Sequence, residues 1–257
     1  MSNNPVNGIN YFFKGFSLIF KPGIRPWVVI PLLINILLFS ALIYYAWQQF
    51  PIVIETIVAQ IESELPDWEW LVSLVRWLMW PLFIVLAPIT VFFTFTFVGN
   101  LIGSPFNGLL AKAVEKHLTG KTIQSPPESL FGFILGIFWA PIEKLLYYLW
   151  LAFLILIVSL IPVINIISPL LWFLFGAWLV SLEYADAPLG NHGYNARAIR
   201  KILAQKRTLT LGFGSTVLMV MLIPFVNFFV MPAAVAGTTY MWIHEFADSA
   251  PPTLTLP

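Results

Sequence analysis

Cysteine is absent from this chain of 257 residues, and charged side chains make up only 10% of it. The lack of cysteine excludes a disulfide scaffold and any thiolate nucleophile or thiolate metal site. A soluble domain carries more than twice as much charge, since roughly 25% of its residues are Asp, Glu, Lys or Arg. Apolar residues reach 59%. The composition therefore excludes a soluble enzyme, a nucleic-acid-binding protein and a disordered chain, and it indicates an integral membrane protein.

Sequence signatures of enzymes are also missing. The chain has no His-Glu-x-x-His, no Gly-x-Ser-x-Gly and no phosphate-binding glycine loop. We therefore predict no enzyme activity, no metal site and no cofactor. Asp186 and His192 could form an acid–base pair, which is the basis of an enzyme hypothesis. The simpler interpretation is that Asp186 orders the loop after Tyr184.

Long uncharged runs take up most of the chain: 26–54, 77–111, 145–182 and 208–243. A helix of about 20 apolar residues crosses a hydrocarbon core of about 30 Å. The first two runs therefore predict two long spanning helices, over 26–65 and 67–118. Because no Asp, Glu, Lys or Arg lies inside these runs, a charge-relay pump is not expected.

The third and fourth runs are each broken at the middle by the same pattern. Residues 160–165 and 222–227 both read Leu-Ile-Pro-x-[Ile/Val]-Asn, and a second proline follows each of them. Proline ends one helix and suits the first turn of the next. We therefore predict two helical hairpins, over 140–190 and 205–246.

Arm length favours hairpins that enter the membrane and turn back. The uncharged arms after the turns, 170–182 and 233–243, reach only about 16–20 Å at 1.5 Å per residue. Such arms are too short to cross, so re-entrant hairpins are predicted, and four full spans are the alternative. The fold class expected is an all-α integral membrane protein with an N-terminal interfacial helix, two long transmembrane helices and two re-entrant hairpins.

Basic residues are distributed unevenly about these segments. All of them except Arg76 fall on the side that carries both termini. The positive-inside rule places that side in the cytoplasm. The segment between the first two spans is acidic, with Glu55, Glu62, Glu64, Asp67 and Glu69. We predict one membrane domain over 1–257.

The segment 9–25 combines an interfacial helix with a candidate anion loop. Its helix is predicted to place apolar side chains on one face, as in a helix that lies in the membrane interface: Phe12, Phe13, Phe16, Ile19 and Phe20. In the loop 21–25, Gly23 allows close backbone approach. Arg25 offers a guanidinium that suits a tetrahedral oxyanion, and the first amides of the next helix are expected to point towards it. The alternative is an ordinary basic flank that contacts lipid phosphates.

A polar path through the uncharged runs would use amide side chains and helix ends. Asn35, Asn165 and Asn227 are candidates for it. Helices that begin at Pro169 and Pro232 would aim the positive ends of their dipoles at the hairpin tips, where an anion is favoured. The alternatives are that the asparagines form interhelical hydrogen bonds and that the prolines only make turns.

Several motifs in this order resemble the CysZ family of bacterial sulfate permeases. They are Pro-Gly-Ile-Arg at 22–25, Pro-Leu-Leu-Ile-Asn at 31–35, Ser-Pro-Phe-Asn-Gly-Leu-Leu-Ala at 104–111, Tyr-Ala-Asp-Ala-Pro-Leu-Gly-Asn-His at 184–192, and the two Leu-Ile-Pro turns. The resemblance extends over nearly the whole chain. It implies sulfate uptake across the inner membrane for cysteine biosynthesis, two hemi-penetrating hairpins, and a homo-oligomer that can include antiparallel subunits.

The family's sulfate site is a Gly-[Ile/Leu]-Arg-Arg loop, which the resemblance carries over to Gly23, Ile24 and Arg25. The second arginine of that loop is replaced here by Pro26. That replacement removes one donor, so Lys21 is expected to be recruited. The expected site combines the Arg25 guanidinium with the backbone amides of Gly23 and Ile24.

Asn107, Asp186 and His192 are motif residues of the family for which an architectural role is expected. The function predicted is that of a multi-pass sulfate permease of the bacterial inner membrane, either channel-like or ion-coupled. Its expected partners are sulfate, the lipid bilayer and further copies of the chain, with no nucleic acid. The alternative is a non-transporting membrane scaffold that binds partner proteins.

Overall fold

The computed structural model describes residues 3–64, 68–122 and 130–248, and for 91–93, 95–104, 130–138 and 140 it describes the backbone alone. These residues form helices and no strand. In chain order the helices are α1 Pro5–Leu18, α2 Pro26–Glu64, α3 Glu69–Thr119, α4 Leu130–Ser159, a 3-10 turn Ile164–Ile167, α5 Ser168–Asn191, α6 Ala196–Ala204, α7 Arg207–Met221, α8 Asn227–Met241 and a π-helix Trp242–Phe246. The acidic residue Asp67 and the predicted helix limits at 65 and 67 lie outside the described residues.

Four helical segments are long and apolar enough to cross a membrane: Pro26–Glu64, Glu69–Thr90, Pro141–Ser159 and Ile164–Asn191. Few residues in their most apolar windows are buried within the protein, between 0% and 17%, as expected of helices whose solvent is lipid rather than water. The prediction of an all-α integral membrane protein is confirmed, and the chain is a multi-pass membrane protein.

The length argument for re-entrant hairpins fails for the first hairpin. Helix α5 does not end with the uncharged run at Leu182 but continues through Glu183 and Asp186 to Asn191. Its 24 residues reach about 36 Å, which is enough to cross. In the second hairpin, α7 and α8 have 15 residues each and reach only about 22 Å. The re-entrant arrangement stays a prediction.

The turns of the two hairpins share two backbone features, although a 3-10 turn, Ile164–Ile167, follows only the first. Val163 and Phe225, the residues after the first proline of each, have φ angles of 71° and 65°. The amide of Asn165 donates to the carbonyl of Ile161 at 3.0 Å, and the amide of Asn227 donates to the matching carbonyl of Ile223 at 3.2 Å. The internal repeat predicted from the sequence is therefore confirmed for these features of the turns. The predicted role of the second proline is confirmed for Pro169, in the first turn of α5, and is wrong for Pro232, which lies inside α8 because that helix begins at Asn227.

The chain divides into two compact units, one formed by the residues up to Val28 and from Phe106 onward, the other by Val29–Pro105. In the second unit, α2 and α3 run antiparallel. The rings of Phe50 and Phe83 stack with centroids 3.8 Å apart, and Arg76 Nη2 lies 3.1 Å from Glu55 Oε2. The prediction of a single membrane domain is not tested by this division and stays a prediction.

The first unit has a core in which α1, α5, α7 and α8 approach closely through glycine. A Cβ at Gly8 or Gly15 of α1 would overlap the backbone of α7 or α8, and one at Gly214 of α7 would overlap the carbonyl oxygen of Ala177 in α5. Small residues of this kind let membrane helices pack at backbone distance.

Helix α1 packs on α7 and α8 with only part of its predicted apolar face. Phe12 and Ile19 are fully buried, whereas Phe13 and Phe20 are exposed. The reason is that Gly8 and Gly15 form the face that contacts α7 and α8, and this face is rotated from the one that the phenylalanines define.

Candidate anion-binding site

The connection from α1 to α2 turns sharply at 21–25. The Lys21 amide donates to the Leu18 carbonyl at 2.9 Å, and the Lys21 carbonyl accepts from the amides of Ile24 and Arg25 at 3.1 and 3.0 Å. Gly23 has a φ of +86°, and a Cβ there would meet nothing within 4 Å. Glycine is therefore favoured here by the backbone angle, which other residues adopt at a cost, and not by crowding.

One side chain anchors this turn while its neighbours point outward. Ile24 is buried in the core of the first unit, whereas Lys21, Gly23 and Arg25 are exposed. After the turn, Trp27 packs near Phe106, with ring centroids 6.5 Å apart. The turn is thus fixed by apolar contacts, and its two cations face outward.

The predicted contribution of backbone amides is contradicted in part. The amide of Ile24 is occupied by the Lys21 carbonyl, and the first donors of α2 are also occupied, Trp27 by Ile24 at 3.0 Å and Val28 by Arg25 at 3.1 Å. These tight-turn bonds leave the helix end without the free donors that an anion would need. Ile24 therefore anchors the turn, and the charged groups that this corner exposes are the side chains of Arg25 and Lys21.

Neither cation of the corner has an acidic partner among the residues that the structure describes. Some other cations there are neutralised in ion pairs, such as Arg76 by Glu55 and Lys206 by Glu245, whereas others, such as Lys201 and Arg207, also have no acidic partner in the described residues. An unpaired guanidinium beside an exposed ammonium forms a local positive field that attracts anions. An anion that approaches the 21–25 corner would therefore meet two cations without first breaking an ion pair.

The predicted path residues lie in different parts of the fold. Asn35, in α2, has a buried side-chain oxygen with no hydrogen-bond partner in the described part of the chain. Asn107 is half-buried on α3, and Asn165 and Asn227 are exposed at the hairpin turns. Buried polar atoms are seldom left without a hydrogen bond. Of these four asparagines, Asn35 is therefore the one whose side-chain oxygen lacks an expected hydrogen-bond donor.

Asp186 and His192 do not pair with each other. Asp186 Oδ2 lies 3.0 Å from Lys144 Nζ, and His192 Nε2 lies 3.1 Å from Glu115. These contacts tie α5 to α4 and to α3, so the acid–base pair behind the enzyme hypothesis is contradicted. In the described residues no group of three or more His, Asp or Glu is placed to hold a metal ion.

One buried carboxylate, Glu245, was not predicted. Its Oε1 accepts a hydrogen bond from the Tyr11 hydroxyl at 2.6 Å, and Lys206 Nζ donates both to its carboxylate and to its backbone carbonyl. Burial alone would raise the pKa of Glu245, but the hydrogen bonds from Lys206 and Tyr11 outweigh it and lower that pKa below the usual value. Burial, followed by the bond to Glu245, raises the pKa of Tyr11. This cluster joins α1, the start of α7 and the π-helix.

Comparison with known proteins gives a consistent result. The family model described as Sulfate transporter CysZ/Etoposide-induced protein 2.4 matches residues 11–232. A relative named Sulfate transporter CysZ from Pseudomonas aeruginosa (strain LESB58) is 39% identical over 248 residues, which is 95% of this chain and 98% of the relative.

Two further relatives carry the same name, Sulfate transporter CysZ. The protein from Pseudomonas fluorescens (strain Pf0-1) is 41% identical over 243 residues, covering 93% of this chain and 94% of that protein. The protein from Pectobacterium atrosepticum is 36% identical over 245 residues, covering 94% and 86%. The similarity therefore includes both compact units and the 21–25 corner.

Proposed function

The chain belongs to the family of Sulfate transporter CysZ and Etoposide-induced protein 2.4, and from this premise we propose that it is a permease that carries sulfate across the bacterial inner membrane to supply cysteine biosynthesis. Its relatives are named as transporters, which supports a transport function over an enzyme activity. A non-transporting membrane scaffold is the alternative.

The observation that carries this proposal is the unpaired charge at the 21–25 corner. Arg25 and Lys21 are exposed, lack an acidic partner in the described part of the chain, and flank a turn that Ile24 anchors and Gly23 bends. A guanidinium supplies forked, charge-assisted hydrogen bonds to a tetrahedral oxyanion. The Gly23 amide is a further donor for the bound sulfate, and Lys21 supplies the charge that Pro26 cannot.

A sulfate ion captured there needs a wet route, because a bare charge in hydrocarbon is very costly. We assign this route to amide side chains: Asn35, Asn107, Asn165 and Asn227. Asp186 and His192 have an architectural role in this proposal, because Asp186 joins α5 to Lys144 of α4 and His192 joins the end of α5 to Glu115 of α3. The functional protein is proposed to be a homo-oligomer, with the two hairpins re-entrant and with antiparallel subunits as one arrangement.

Sulfate flux into lipid vesicles tests the function. Purified protein is reconstituted into vesicles, and radiolabelled sulfate uptake is compared with that of protein-free vesicles and with radiolabelled chloride uptake. The proposal predicts sulfate uptake well above the protein-free level and well above chloride uptake.

The same vesicles separate the alternatives. No sulfate uptake, while a control transporter in parallel vesicles is active, would contradict the proposal and favour the scaffold. Where uptake is present, an imposed proton gradient distinguishes the two modes, because a channel-like permease follows the sulfate gradient alone whereas an ion-coupled permease accumulates sulfate when the proton gradient is imposed.

A further inference from the structure

We propose that Arg197 and Arg200 of α6 form a second oxyanion site, separate from the 21–25 corner, and that Glu143 occupies it as a built-in competitor. The ligand is a tetrahedral dianion such as sulfate, or a phosphate group of the same chemistry. The inference concerns binding and does not depend on whether the protein transports sulfate.

The geometry of the ion pair resembles an occupied anion site. Arg197 Nε and Arg200 Nη2 both donate to a single oxygen, Glu143 Oε1, at 2.8 and 2.9 Å. Arg197 and Arg200 are three residues apart on α6, so their side chains emerge on one face of the helix. Two guanidiniums that converge on one oxygen provide the charge-assisted donors that a tetrahedral oxyanion needs.

At the arginine pair itself, two guanidiniums face one carboxylate, that of Glu143. The adjacent Lys144 faces two carboxylates, Asp186 at 3.0 Å and Glu183 at 3.7 Å. These six groups together are neutral, and the excess of positive charge is confined to the contact of Arg197 and Arg200 with Glu143. A dianion in place of the Glu143 carboxylate would neutralise both guanidiniums, which a monovalent anion such as chloride would not.

The site combines a fixed arginine with an accessible one. The Arg200 side chain is only 20% exposed, and its guanidinium carbon lies 4.2 Å from the centre of the Tyr147 ring. The Tyr147 hydroxyl in turn accepts a hydrogen bond from Trp178 Nε1 at 3.0 Å. The Arg197 side chain is 68% exposed, so a ligand can reach the pair from solvent.

No free volume is available for a polyatomic ion beside the occupied pair. The cavity next to it, lined by Lys144, Tyr148, Asp186 and Arg200 among others, has about 10 Å³, which is room for about one water. An oxyanion that binds between the two guanidiniums must therefore displace the Glu143 carboxylate. This requirement predicts that the affinity of the site is held down by Glu143 and rises when its charge is removed.

Sulfate titration of neutralised variants tests the proposal. The full chain carries Arg25→Ala to weaken the first corner, and sodium sulfate binding is measured by calorimetry with and without Glu143→Gln. The amide keeps an acceptor oxygen for the arginines but removes the charge that competes with sulfate. We expect Glu143→Gln to tighten sulfate binding about tenfold, and adding Arg200→Gln to abolish that gain.

The matched control is Glu55→Gln, which removes the charge of the partner of Arg76, 3.1 Å away, at an exposed one-to-one pair. It leaves a lone arginine and is expected to give no gain in sulfate affinity. No gain with Glu143→Gln, or an equal gain with Glu55→Gln, would overturn the proposal. A gain in a protein that shows no sulfate flux would support the second site and count only against the proposed transport function.

A second test, with Arg197→Gln, keeps Glu143 intact and therefore does not depend on whether Glu143→Gln folds. With Glu143 intact, a weaker second phase of sulfate binding is expected, and Arg197→Gln, at a mostly exposed position, is expected to remove it. A second phase that persists in Arg197→Gln would overturn the proposal.

Vesicle composition identifies the source of the ligand. If the gain from Glu143→Gln is present in both phosphatidylcholine and phosphatidylglycerol vesicles, the site binds free sulfate. If the gain in sulfate affinity is present in phosphatidylcholine vesicles but absent in phosphatidylglycerol vesicles, the phosphate of the lipid occupies the site. Both results support an oxyanion site on α6.

Discussion

Arg25 and Lys21 have no acidic partner in the described chain, whereas Arg197 and Arg200 share the carboxylate of Glu143. At the scale of single residues, this difference separates the proposed corner site, where an anion meets no carboxylate, from the proposed α6 site, where an anion must compete with one. The separation predicts tighter sulfate binding at the corner than at α6.

Glu245 carries a stability prediction. Its pKa is lowered in the fold, so its ionised form stabilises the fold above the unfolded-state pKa, and that contribution is lost as the pH falls through the lowered folded-state value. Glu245→Gln should cost about 1–3 kcal/mol at neutral pH, because Lys206 loses a charged partner. Thermal unfolding in detergent from pH 7 downward should show the variant and the native chain converging at low pH.

Glu55→Gln is the control for this prediction, since its pair with Arg76 is exposed and worth little. A stability difference between native protein and Glu245→Gln that stays constant at every pH would contradict the role given to the ionised carboxylate.

Single-residue contacts were predictable only where they are local. Gly23 and Arg25 could be identified because the turn and its charges lie within five residues of sequence. The partners of Glu245 and His192 could not, because Tyr11 is 234 residues from Glu245 and Glu115 is 77 residues from His192. No local pattern encodes such pairs. The occupied amide of Ile24 was missed because it depends on the detailed path of the turn.

At the scale of helices, the first unit depends on glycines that allow backbone contact. Gly214 of α7 faces the Ala177 carbonyl of α5 so closely that a methyl group cannot fit without moving a helix. A Cβ at Gly214 would also overlap the side-chain hydroxyl of Ser181, but the carbonyl of Ala177 belongs to the backbone and cannot rotate away as a flexible side chain would.

Gly214→Ala should therefore destabilise the fold by about 1–3 kcal/mol, the usual cost of overpacking. Gly190→Ala in α5 is the matched control, because a Cβ there meets nothing within 4 Å. Helix propensity predicts that this control is neutral or slightly stabilising. Thermal unfolding of the two variants checks the prediction, and equal losses in both would contradict the packing explanation.

The repeated hairpin turn could be predicted from the sequence, but its conformation could not. The Leu-Ile-Pro-x-x-Asn pattern correctly placed two breaks. Proline alone would not have placed them, because Pro51, Pro88 and Pro232 lie inside helices. Left-handed φ angles at Val163 and Phe225 run against the preferences of a β-branched and a bulky residue. The arm after the first turn was judged too short because charged residues were taken as its end, whereas α5 continues through Glu183 and Asp186.

At the scale of the whole molecule, composition was sufficient to predict the class. Low charge and long apolar runs indicate a membrane protein whatever the details of packing, and the four candidate spans agree with that prediction. The packing of α1 onto α7 and α8 was not predicted, because the decisive residues there are glycines, which carry no hydrophobic signal.

Sulfate titration of Arg25→Ala tests the central claim, that this protein captures a dianion mainly through cationic side chains at the 21–25 corner. The control is Arg207→Ala, an exposed arginine at the start of α7. The account predicts that Arg25→Ala weakens sulfate binding tenfold or more, about 1.4 kcal/mol, while Arg207→Ala leaves it unchanged. Equal sulfate affinity in Arg25→Ala and the native chain would contradict the account.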